Sequence, residues 1–87
     1  MKEFKYVITD AQGIHARPAG LLVKTIAKSA SDVKIQKAGD ARVVNAKSIM
    51  AVMSLGVKKD NEVIVTVEGE DEDAVIAEVE KVFTENL

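Results

Sequence analysis

The chain has 87 residues, 47% apolar and 30% charged, with 12 basic and 14 acidic side chains giving a net charge of −2. That length suits a single domain over residues 1–87 that folds without staples, and the absence of cysteine excludes a disulfide framework and a thiolate metal site. Near-neutral charge and two Phe with one Tyr give neither the field nor the stacking surface that nucleic acid requires.

No run approaches the roughly 18 consecutive apolar residues of a membrane span. The opening MKEFKY is charged and strand-like rather than a signal peptide. A cysteine-free chain also fits a reducing compartment. The expectation is a cytoplasmic, soluble protein with no membrane insertion, whose partners are proteins or small molecules.

Taken in chain order, Phe4 to Thr9 (FKYVIT) alternates and is rich in aromatic and β-branched residues, which predicts a strand ending at Asp10-Ala11-Gln12-Gly13. The period then changes. Ala19, Leu22, Val23, Ile26, Ala27 and Ala30 recur at three- and four-residue spacing, predicting an amphipathic helix of about three turns that Ser31-Asp32 closes. Val33 to Gln36 alternates as a second strand, Ala38-Gly39-Asp40 has hairpin chemistry, and Arg42 to Val44 makes a short third strand. Ser48 to Leu55 (SIMAVMSL) reads as a short helix, with Ser48 as N-cap and Gly56 in the C-terminal capping role.

After a turn at Lys58 to Asn61, Glu62 to Val67 is the strongest strand pattern, apolar enough for a central place in a sheet. Gly69 breaks it. Glu70 to Asp73 put negative charge on the first turn of a last helix, whose buried stripe is Ala74, Val75, Val79, Val82 and Phe83. The order β-α-β-β-α-β-α predicts an α+β domain: an antiparallel or mixed four-stranded sheet, helices on one face, the other face open to solvent.

GIHARPAG, residues 13–20, holds the only histidine, one of two arginines and the only proline within four consecutive positions, immediately before the first helix. Helix-start N–H groups lack intrahelical acceptors, and Pro18 fixes the backbone there without wasting a donor. The residues leave His15, Ala16 and Arg17 equally open as the cap. A helix N-terminus disfavours the imidazolium, so His15 is expected to present a neutral nitrogen as a nucleophile. Were the ring to take a phosphoryl group, free amides and the Arg17 guanidinium would hold the oxygens. The plainer reading is a histidine that only caps the helix of a protein-docking or small-molecule regulatory module. RNA binding on the open sheet face finds little support in charge or aromatic content. With no second His or Cys, no metal is expected.

In the short helix, Ala51, Val52 and Leu55 lie in one arc and Ile49, Met50 and Met53 in the other. Either the second arc is an exposed, adaptable docking patch or both arcs are buried. A phosphate on Ser48 would be tolerated by the helix and would set about two negative charges beside that patch.

At GIHARPA around His15 and KSIMAVMSLG from Lys47 to Gly56, the chain resembles the histidine-containing phosphocarrier family, HPr, of the bacterial phosphoenolpyruvate-dependent sugar phosphotransferase system. The likeness covers essentially all 87 residues, and the Ser48 motif resembles the Gram-positive type most. The resemblance implies an open-faced β-sandwich with antiparallel sheet order 1-4-2-3 and three helices on one face. It implies a carrier rather than an enzyme, without cofactor: His15 takes phosphate on Nδ1 from enzyme I and passes it to the IIA domains of sugar permeases. Arg17 and the backbone amide of Ala16 would assist the phosphate. It further implies phosphorylation of Ser48 by an HPr kinase/phosphorylase and binding to the catabolite control protein. Docking would fall on Ile49, Met50, Met53, Gly20, Lys24 and Lys47, of a monomer whose faces stay free. The presence of His15 separates the chain from the family's regulatory paralogue without it. Gln36 to Val43 is longer than the family's usual hairpin by about two residues.

Overall fold

Residues 1–87 are described by a computed structural model, whose elements are β1 (Lys2–Val7), α1 (Ala16–Ile26), β2 (Asp32–Lys37), β3 (Val43–Asn45), α2 (Ile49–Ser54), β4 (Glu62–Glu68) and α3 (Glu72–Asn86). Alternation in EVIVTVE sends Val63, Val65 and Val67 to one face of β4, where they are buried, and leaves Ile64 and Thr66 half-exposed on the other. The strand order is β1-β4-β2-β3 and every pair is antiparallel. Val65 lies opposite Phe4 on one side and Ile35 on the other. This is the α+β open-faced sandwich, with the sheet order implied by the resemblance.

The helices supply the cover that the buried sheet face needs. Leu22 and Ile26 of α1, Val52 of α2, and Val75, Val79, Val82 and Phe83 of α3 join the sheet valines in one core. Phe83 is fully buried, and the rings of Phe4 and Tyr6 each stand 5.6 Å from its ring, anchoring α3 on β1.

Several details differ from expectation. The first strand is Lys2–Val7 rather than Phe4 to Thr9, because Thr9 and Asp10 donate their N–H groups to the carbonyl of Leu87 instead of to β4. Helix α1 stops at Ile26, where Ser29 N–H bonds back to the Ile26 carbonyl, so Ala27 and Ala30 fall outside the buried stripe and are exposed. In α3 the outward residue is Ala74, and the larger Ile76 packs partly against the core. The third strand is likewise displaced by one residue, to Val43–Asn45.

The last β2–β3 pair is Gln36 with Val43, and Ala38 to Arg42 form the loop between the two strands. Asp40 organises it. Its carbonyl accepts from Gln36 Nε2 at 2.7 Å, and its carboxylate accepts from the Arg42 N–H at 2.9 Å. The Arg42 guanidinium donates to the Ser54 carbonyl at 2.7 Å, tying the loop to the end of α2.

Candidate functional site

The chain reaches the first helix through a tightly held turn. Gly13 has φ +67° and its N–H donates to the Asp10 carbonyl at 2.9 Å; Ile14 is buried and its N–H donates to Val57 at 3.1 Å. His15 follows in extended conformation as the N-cap of α1, with no side-chain capping bond. Its carbonyl receives the first helical bond, from Ala19 N–H at 3.0 Å. The cap is therefore His15, with Ala16 and Arg17 as the first two helical residues. Their N–H groups have no acceptor in the chain, and Pro18 has no N–H to offer. The imidazole remains about one-third exposed. A partly exposed ring thus stands beside two free amide donors at the positive end of a helix dipole.

His15, Arg17, Pro18 and Leu21 share a recess of about 440 Å³ with Asp10, Glu85 and Asn86. The Asp10 carboxylate stands 3.9 Å from His15 Nε2, beyond hydrogen-bonding distance. Asp10 is itself held on three sides: its carboxylate accepts from Gln12 N–H at 2.8 Å, its N–H donates to Leu87 at 3.0 Å, and its carbonyl accepts from Gly13. In the sequence Asp10 reads only as a turn residue, and Glu85 and Asn86 do not stand out. An Asp opening an Asx turn five positions before a lone histidine was the available signal for the first. No local pattern announces the other two, since they arrive with the far end of α3.

Ala16, Gly20 and Lys24 follow at four-residue spacing along one side of α1. A side chain at Gly20 would meet nothing within 4 Å, so a partner can approach the backbone there. Lys24 is exposed in the last turn. Lys47 is engaged instead: its Nζ donates to the Ser29 carbonyl at 3.0 Å. Ser48 caps α2, its hydroxyl accepting from Ala51 N–H at 3.3 Å. Of the two apolar arcs of α2, Val52 and Leu55 are buried while Met50 is 83% exposed and Ile49 and Met53 stand about as open as each other, at 41% and 42%. Adaptable apolar side chains are therefore exposed on the helix that Ser48 caps.

Comparison with known proteins converges on one family. The family model described as PTS HPr component phosphorylation site matches residues 2–85. The chain is similar to the histidine-containing phosphocarrier protein of Mycoplasma, with 33% identity, a TM-score of 0.91, and 97% of this chain and 93% of that one covered. It is similar to HPr of Thermoanaerobacter tengcongensis at 43% identity and a TM-score of 0.88, over 97% of this chain and 92% of that one. It is also similar to Crh of Bacillus subtilis, described as a catabolite repression containing protein and a swapped dimer, at 37% identity and a TM-score of 0.75, over 100% and 98% of the two chains.

Proposed function

Because the chain belongs to the HPr family of phosphotransferase-system phosphocarriers, we propose that its phosphoryl group travels on Nδ1 of His15, received from enzyme I and handed to the IIA domains of sugar permeases. The observation that carries this reading is the partly exposed imidazole at the N-cap of α1, beside the unbonded amides of Ala16 and Arg17. A dianionic phosphoryl group on that ring would meet two N–H donors and the α1 dipole, with Arg17 lining the same recess. In-line transfer between two nucleophiles needs an acceptor that a partner can reach. The shuttle's interfaces are small and short-lived, which suits a cytoplasmic monomer; the swapped dimer described for Crh makes sedimentation at working concentration the check on that point.

In the same reading Ser48 is a regulatory acceptor for an ATP-dependent HPr kinase/phosphorylase. Its hydroxyl is exposed and borders Ile49, Met50 and Met53, so a phosphate there changes which partners dock without unfolding the domain. That patch would then serve the catabolite control protein, with Gly20 and Lys24 bordering the approach to His15; Lys47, bonded to Ser29, contributes its stem rather than a free ammonium.

The test is intact-mass analysis after incubation with phosphoenolpyruvate and enzyme I. One phosphate adduct, stable in base and lost in acid, is expected on the native chain and none on His15→Ala; continued labelling of His15→Ala at full rate refutes the assignment. Arg17→Ala is expected to label more slowly with the fold intact. A helix-capping histidine of a docking module would give no adduct at all.

A further inference from the structure

We propose that Asp10 is a positioning residue for phosphoryl transfer: its carboxylate keeps the proton on His15 Nε2 throughout the cycle, so that Nδ1 supplies the lone pair and later departs as a neutral imidazole. The proposal rests on the carrier reading above and assigns a role to a residue which that reading leaves unused.

The geometry is built rather than incidental. One carboxylate oxygen of Asp10 is committed to the Gln12 N–H at 2.8 Å, and the backbone on both sides is fixed by bonds to Leu87 and Gly13. The other oxygen is left facing Nε2 at 3.9 Å. A neutral imidazole carries one N–H, and a carboxylate beside one nitrogen favours the tautomer with the proton there. The lone pair is thereby assigned to Nδ1.

On acceptance, the Nδ1 lone pair forms the N–P bond while the donor's bond to phosphorus breaks and its electron pair leaves with the donor. The ring becomes an imidazolium still bearing its Nε2 proton, and the Asp10 charge compensates it. On delivery, an acceptor nucleophile forms its bond to phosphorus, the N–P bond breaks, and the electron pair returns to Nδ1. The departing group is neutral imidazole, and no proton has to move. With Nε2 deprotonated, the same step would expel imidazolate, a far poorer leaving group.

Other charges face the same recess. Arg17 and the N-terminal amides of α1 oppose a positive ring, whereas Glu85 of α3 has the same sign as Asp10. Asp10 differs from Glu85 in being the acid whose carboxylate lies within 4.0 Å of the ring.

The deciding variant is Asp10→Asn, which retains an oxygen acceptor for the Gln12 N–H and so preserves the turn while removing the charge. Nitrogen-15 NMR of the unphosphorylated protein is expected to find Nε2–H dominant in the native chain and a mixture of tautomers in Asp10→Asn. With the phosphorylated protein, delivery to a IIA domain at pH 8 is expected to slow by up to about fivefold, the Boltzmann factor for two full unit charges some 4 Å apart in water. The alkaline limb of its pH profile should also move to lower pH, and Glu85→Gln should move it less. An unchanged tautomer ratio and pH profile in Asp10→Asn, or an equal effect of Glu85→Gln, overturns the proposal. A native chain that takes no phosphate overturns the carrier reading and this one with it, whereas a labelled native chain with an unaltered Asp10→Asn variant overturns this one alone.

Discussion

The hydroxyl of Ser31, buried to 1% exposure, donates to the carboxylate of Asp71 forty positions along the chain. The Ala30 N–H donates to the other carboxylate oxygen at 2.9 Å. Asp71 stands at the N-cap position of α3 yet makes no capping bond with its side chain. It ties the segment after α1 to the start of α3 instead.

Those two bonds, that from Ser31 first, hold the Asp71 carboxyl below its ordinary value of 3.8. A folded-state value lower than the unfolded one means that Asp71 stabilises the fold fully above the ordinary carboxylate range, and that this contribution disappears as pH falls through the depressed value. Asp71→Asn is therefore expected to melt at lower temperature than the native chain at neutral pH, with the difference shrinking in strong acid. Melting curves that stay parallel down to pH 2 would contradict the role.

Gly13 carries a second expectation. A β-carbon there would meet the Val57 carbonyl oxygen and lie 2.6 Å from the Lys58 α-carbon, while φ stays at +67°. Backbone cannot yield as a flexible side chain does, so Gly13→Ala should cost about 2 kcal/mol or more. Urea unfolding measures this, and a midpoint within experimental scatter of the native one would show that the turn relaxes freely. Since His15 is only two residues on, phosphate acceptance should fall as well.

At Ser48 the cap and the proposed modification can be separated. Ser48→Ala removes the acceptor for Ala51 N–H and should cost about 0.5–1 kcal/mol, whereas Ser48→Asp keeps an acceptor and should cost less. Thermal unfolding of the two variants decides it. A larger loss in Ser48→Asp would mean that negative charge at this position disturbs the fold, contrary to a switch that alters docking alone.

Phe83 tests the core. It is fully buried against Phe4 and Tyr6, so Phe83→Ala should cost about 3–5 kcal/mol and Phe83→Leu appreciably less. A domain of this size has stability on the order of 5–10 kcal/mol in total. The alanine variant should unfold at a much lower urea concentration, and equal midpoints for the two variants would remove the aromatic cluster from the account.

What could be read in the sequence follows the range of the interactions concerned. The alternation of Val63, Val65 and Val67, the stripe Leu22–Ile26 and the cluster His15-Arg17-Pro18 are local patterns, and each lies where its period or spacing puts it. The two apolar arcs of α2 were indistinguishable by period; packing buries Val52 and Leu55 and leaves Met50 outside. Asp71 was legible as one of four acidic residues at a helix start, whereas its partner Ser31 was not. Glu85 and Asn86 enter the recess because the end of α3 is fastened by Thr9 and Asp10 to the carbonyl of Leu87, a contact spanning nearly the whole chain. Composition and periodicity carry no trace of such closures.

The position of β4 between β1 and β2 also governs how the chain acquires its shape as it leaves the ribosome. Until residues 62–68 emerge, β1 has no neighbour to join, and β2 can pair only with the three residues of β3. Phe4, Tyr6 and Ile8 must wait in the nascent polypeptide with their apolar surfaces unhoused, so the architecture closes late and cooperatively instead of accumulating vectorially during translation.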